Sequence, residues 1–208
     1  MEIRNYKDLN SLELDILREI GSIGTGNAAN VLSQLLGQEV RITLPEVRIM
    51  GYNEAIEWIG GPELITAGVL VQLEGALNGI MLSVQQLPFV NLVLENILGQ
   101  TVEEYSELSE LGISALVEVG NIMISSFVGA LSGLANIPLR PTVPAFTIDM
   151  QGAILTVPMA AFGGQSDYIM TIGGNFICNK KQVPCRILLS PDILSLNYLL
   201  RKLSGENE

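Results

Sequence analysis

Seven side chains able to bind or position a ligand fall on two helix faces. Counting 100° per residue from Ser114, the side chains of Glu118, Asn121 and Ser125 lie within about 40° of it. An earlier stretch repeats the spacing with Asp15, Glu19 and Ser22. Carboxylates, a carboxamide and hydroxyls carried on rigid elements can dock a partner and hold a bound molecule in register. They are not a nucleophile with its base. The chain has no histidine, which removes the commonest general base, the commonest metal ligand and every Ser-His-Asp or Cys-His set. No Asp/Glu cluster has metal-ligand spacing, and Cys178 and Cys185, with six residues between them and no histidine, are not a zinc pattern. A metal carried by this chain is therefore not expected. Gly21-x-x-Gly24-x-Gly26 lacks the Lys-Ser/Thr end of a phosphate loop and sits inside a helix, so it reads as close helix packing, as does Gly129-x-x-x-Gly133.

The chain that must position these groups has 208 residues, 48% hydrophobic and 16% charged, which describes a folded globular protein with a sizeable core. Its formal net charge of -11 repels phosphate backbones and anionic lipid, so nucleic acid and membrane surfaces are not expected partners. Two cysteines are too few for a disulfide scaffold and read as plain thiols in a reducing, cytoplasmic compartment. Met1 to Asn10 is polar, with no apolar signal-peptide core behind it. Val119 to Leu139 carries no charge and is long enough to cross a bilayer, but its Asn, Ser and Pro residues and its amphipathic pattern favour a soluble helix.

Organisation comes from an internal repeat. Glu19-Ile20-Gly21-Ser22-Ile23 corresponds to Glu118-Val119-Gly120-Asn121-Ile122, Pro45 to Pro144, and Asn91–Gly99 to Asn197–Gly205. Two units of about a hundred residues make a duplication and not a solenoid. Each half predicts a long helix (11–36 and 109–136), short strands (39–43 and 47–51; 138–143 and 146–150), two longer strands (64–73 and 77–84; 168–178 and 184–189) and a closing helix (87–98 and 191–203). Asn78-Gly79 and Gly163-Gly164 mark turns, and residues 99–109 form a short acidic linker. The expected architecture is α+β, a pseudo-twofold internal duplication. Each half supplies a long helix, antiparallel strands and a closing helix around a shared β-sheet core. The whole of 1–208 forms one domain of two repeats, about 11–99 and 109–205.

On the long helices, Leu116, Val119, Met123, Phe127, Ala130 and Leu134 share the face opposite Glu118; Leu17, Ile20, Gly24, Ala28, Val31 and Leu35 do so opposite Glu19. The apolar stripes predict core contact and present both glutamates outward. A polar face of this kind is either plain solvated surface or a surface made to be covered. The second helix shows Ser, Asn, Gly and small apolar residues around a lone Glu118, where a bland surface would pair Lys with Glu.

These segments resemble the CheC, CheX and FliY phosphatases, whose signature is Asp or Ser, three residues, Glu, two residues, Asn, then Pro after twenty-two more. Ser114, Glu118, Asn121 and Pro144 match it fully. Asp15, Glu19 and Pro45 match it too, with Ser22 where the Asn should stand. The resemblance covers nearly the whole chain and is closest to the CheC type. It implies a phosphatase that removes the aspartyl phosphate of a CheY-like response regulator in bacterial chemotaxis. In that reading Asn121 holds a water in line, Glu118 docks the receiver through its active-site lysine, and Ser114 supports Glu118. The phosphatase has no cofactor of its own, because the receiver carries the divalent cation, Mg by expectation. Ser22 is too short to replace an amide, and Asn27 lies about 140° round the helix, so Asp15, Glu19 and Ser22 form a degenerate first site. The resemblance also allows a non-catalytic adaptor that binds the phosphorylated receiver or a CheD-type deamidase. The covalent duplication implies a monomer, since it already supplies the twofold arrangement.

Overall fold

The computed structural model describes residues 8–43, 45–162 and 168–203. Helix α1 runs Ser11–Leu36 and is followed by strands β1 (Val40–Ile42) and β2 (Glu46–Gly51), helix α2 (Tyr52–Ile59), strands β3 (Ile65–Gly75) and β4 (Gly79–Gln85), and helix α3 (Leu87–Leu98). The second half repeats this order with α4 (Glu110–Ala135), β5 (Leu139–Pro141), β6 (Ala145–Met150), α5 (Gln151–Phe162), β7 (Tyr168–Cys178), β8 (Lys181–Pro191) and α6 (Ile193–Leu203). The predicted pseudo-twofold α+β architecture is present. The Gly163-Gly164 turn lies outside the described residues.

Both long helices start and stop by local chemistry. Asn10 caps α1 in a reciprocal box with Glu13, and Gly37 ends it in the left-handed conformation at φ 62°. Ser109 caps α4 by accepting from Gly112 N–H, and Asn136 takes the left-handed position that ends it.

Eight strands form one antiparallel sheet in the order β1-β7-β8-β4-β3-β5, with β2 also on β7 and β6 also on β3. The short strands are exchanged between halves. β1 and β2 of the first half pair with β7 of the second, and β5 and β6 of the second pair with β3 of the first. Central β4 and β8 join the halves through Gly79↔Pro191 to Val84↔Arg186. One sheet face carries the larger core, in which Leu116, Val119, Met123 and Phe127 of α4 and Leu17, Ile20 and Ala28 of α1 meet Val69, Met81 and Ile187. α2 and α5 cover the other face with a smaller core of Tyr52, Ala55, Ile154 and Leu155 on Leu82, Val84, Ile169 and Leu188.

Several expectations are corrected. Residues 52–59 and 151–162, given no element from sequence, are helices at matching places in the two halves. Val31, Leu35 and Leu134, expected in the apolar stripe, are exposed. The buried stripe instead drifts round the helix to Leu32, Leu36, Leu131 and Ala135, because a straight helix needs more than one strict face to follow a twisted sheet. Gly129 and Gly133 have nothing within 4 Å of where a Cβ would stand, so they are open surface and not a packing seam; Gly26 is likewise open. The packing reading does hold for Gly24, whose Cβ would stand 2.6 Å from the Phe127 ring.

The acidic connection is more than a tether. Asn91 accepts from Val102 N–H at 2.8 Å and donates to its carbonyl at 2.9 Å, and the Tyr105 hydroxyl donates to the Gln85 carbonyl at 2.9 Å. Helix α4, long and apolar enough to span a membrane, owes its character to burial of its residues between the sheet and α1. Both cysteines are free and buried, and burial pushes the Cys185 thiol up to about 12 and raises that of Cys178 as well. Thiolate is the reactive form, so neither cysteine should react with a thiol reagent at neutral pH in the folded protein, and both should on denaturation. Stability should also fall as pH rises past the ordinary thiol value, because there the unfolded chain loses a proton that the folded chain keeps.

Candidate functional site

The second-half site begins with the contact that seats α4. Gly120 lies between Glu118 and Asn121 and rests on β3 and β4; a Cβ there would stand 2.7 Å from Val69 Cγ2 and 2.9 Å from Gln85 Nε2. Gln85 is fully buried at the end of β4, and its Nε2 donates to the Leu116 carbonyl at 3.0 Å, tying the turn before Glu118 to the sheet. Gly21, the repeat equivalent, approaches Pro45 Cγ and Val47 Cγ2 in the same way, at 3.2 and 3.3 Å. Each Glu-x-Gly therefore puts a helix backbone hard against the sheet, which leaves the Glu no direction but outward.

Glu118 is exposed and has no ion pair among the described residues. Asn121, one turn on, is half-buried, and its Oδ1 accepts from Ser125 Oγ at 3.4 Å. Ser114 is exposed and donates to the Glu110 carbonyl at 2.9 Å, one turn back along the helix, so its hydroxyl is engaged away from Glu118. In the first half Asp15 and Glu19 are exposed and Ser22 is half-buried. Asp15 pairs with Arg18 at 2.5 Å, both largely exposed, an arrangement that contributes little to stability. Where the second half has Ser125, the first has the open Gly26.

The predicted residues are thus brought together in two sets, one on each long helix. Sequence periodicity had also placed Ser125 on the face, but only the structure shows its contact with Asn121. No group of three His, Cys, Asp or Glu side chains is placed to hold a metal among the described residues. Neither set lies in the groove between the acidic connection and the start of α3. That groove is walled by Leu64, Ile65, Leu87, Tyr105 and Ile148. An exposed Glu and a half-buried Asn one turn apart on a helix face suit insertion into a pocket that a partner supplies.

The model of the CheC-like family matches residues 12–49 and 111–148, the two long helices with the short strands that follow. The chain is 25% identical to the CheY-P phosphatase CheC of Bacillus subtilis over 198 residues, which is 93% of this chain and 95% of that protein. It is 31% identical to the flagellar motor switch phosphatase FliY of the same organism over 131 residues, 63% of this chain but 34% of FliY. The fold resembles the crystal structure of Thermotoga maritima FliY, with a TM-score of 0.73 at 22% identity, over 96% of this chain and 99% of that one.

Proposed function

We propose that the chain, whose two long-helix segments match the model of the CheC-like family, is a member of it and hydrolyses the aspartyl phosphate of a CheY-like response regulator, with its chemistry in the second half. The observation that carries this is the pair Glu118 and Asn121, presented outward one turn apart from a helix seated directly on the sheet. Such a site fits a receiver, whose acyl phosphate lies in a shallow pocket beside a lysine and a divalent cation that the receiver carries. An acyl phosphate is already reactive, and phosphoryl transfer passes through a loose transition state, so the phosphatase need supply little beyond position.

In this reading Glu118 enters the receiver pocket and pairs with its lysine. No cation in the described structure competes for it. Asn121 holds a water in line with the phosphorus: the carboxamide accepts from the water through Oδ1 and has two Nδ2 protons to donate elsewhere. The leaving group is the receiver aspartate, and the water's proton passes to the released phosphate or to solvent. The first half, with Ser22 for Asn, binds without hydrolysing, either the same receiver or a CheD-type deamidase. The reading places the protein in the cytoplasm with its receiver, as a monomer.

The test is the loss of acyl phosphate from a phosphorylated CheY-like receiver of the same organism, with and without this protein. Acceleration over spontaneous decay is expected. Glu118→Ala should weaken receiver binding by about ten- to a hundredfold, the size of a lost charge-assisted hydrogen bond. Receiver binding without any acceleration would replace the phosphatase with an adaptor.

A further inference from the structure

Hydroxyls on the long helices bond backbone carbonyls, Ser132 that of Ile137 beyond the helix end, and one departs from this. Ser114 donates to the Glu110 carbonyl, Ser126 to Ile122, Ser33 to Ala29 and Thr25 to Gly21, each four residues back on the backbone. Ser125 donates instead to a side chain, the Asn121 Oδ1. This is the only side-chain hydrogen bond Asn121 makes among the described residues. It occupies one lone pair of the carboxamide oxygen, and it leaves the other lone pair and both Nδ2 protons free to face a partner. It also opposes rotation about the Cβ–Cγ bond, a torsion that is otherwise broad for asparagine.

Resting on the phosphatase reading above, we infer that Ser125 is a positioning residue for Asn121 and that the two work as one unit. The first half supports the pairing. It lacks both members, with Ser22 for the amide and Gly26 for the hydroxyl. The substitution of one without the other is seen in neither helix. Gly26 has nothing within 4 Å of a would-be Cβ, so the absence of a side chain there is not imposed by packing. The unit's parts are therefore separable from the fold, and restoring the first site requires both.

Two experiments test this. In the first, Ser125→Ala should lower the maximal rate of receiver dephosphorylation about three- to tenfold at an unchanged half-saturating receiver concentration, and Ser125→Thr should restore it. The Asn121 side-chain NH2 pair, assigned by its loss in Asn121→Ala, should shift and broaden in the NMR spectrum of Ser125→Ala without receiver present. An unchanged NH2 pair overturns the inference, whatever the kinetics. If the wild type accelerates nothing, the phosphatase reading fails, and the NH2 pair still decides whether Ser125 holds Asn121. In the second, the Asn121→Ala background silences the second half. There Ser22→Asn alone and Gly26→Ser alone should give little activity, and the double change should exceed either several-fold. Equal activity from Ser22→Asn alone and from the double change would show that the hydroxyl is dispensable and overturn the pairing.

Discussion

Asn121→Ala should abolish acceleration of acyl phosphate loss, by about a hundredfold or more, while the receiver still binds. A group that only orders a water contributes to the transition state and little to the ground state, so its removal lowers turnover and leaves affinity almost alone. A loss of this size is typical where one positioned polar group aligns a reacting atom. Asn121 lies on a face whose folding role is slight: it is half-buried, its one side-chain bond is at 3.4 Å, and the core below is built from Leu116, Val119, Met123 and Phe127. Truncation should therefore leave the melting temperature nearly unchanged. Glu118→Ala should behave oppositely, with weakened binding and a maximal rate that recovers at high receiver concentration. If Asn121→Ala retained full acceleration, the chemistry would belong to the receiver alone or to the first half, and the second-half site would have to be abandoned.

The largest expected effect on stability comes from one added methyl group. Gly120→Ala would drive a Cβ to 2.7 Å from Val69 Cγ2 and 2.8 Å from Val69 Cβ. Val69 is fully buried in β3 and branched at that very carbon, so it has no rotamer with which to yield. Overpacking of this kind costs about 1–3 kcal/mol, against a gain of roughly 0.5–1 kcal/mol for alanine over glycine in a helix. The same change at Gly129, nine residues along the same helix and open to solvent, meets no neighbour and should bring the gain alone. The two variants should move the melting temperature in opposite directions, down for Gly120→Ala and up by about 2–4 °C per kcal/mol for Gly129→Ala. Gly120→Ala should also depress turnover, since any lift of α4 from the sheet displaces the residues on either side of it. Equal shifts in the two variants would mean that α4 is not seated through Gly120.

Much of this is legible in the sequence. The duplication, the long helices and the outward Glu of each follow from spacing alone, because a 3.6-residue period over twenty-six residues leaves few alternatives. What the sequence hid has physical reasons. α5 is apolar all round and contains Pro158, so neither periodicity nor propensity marks it; its place against the second sheet face makes it a helix. α2 has eight residues, too few for a pattern to stand out. Val31, Leu35 and Leu134 look like core by angle, yet they lie where the helix has drifted off the sheet. Glycine spacing could not separate Gly24, which touches Phe127, from Gly129, which touches nothing, because the partner is far away in the chain. The Ser125–Asn121 contact was hidden for another reason: a serine four residues on usually bonds the backbone.

The exchange of short strands between halves has a consequence for synthesis. A ribosome releases the chain in order, and the first half emerges without the strands that complete it. β3 has an unpaired edge until Met150 is out, and β1 and β2 have no strand to join until Cys178. For that interval an eleven-residue strand rich in Val and Leu stands exposed, the kind of edge that recruits other chains. The protein cannot be made one half at a time. Whatever protects it in the cell must hold the first repeat open until the second arrives, and two fragments cut at the connection would fold only by finding each other.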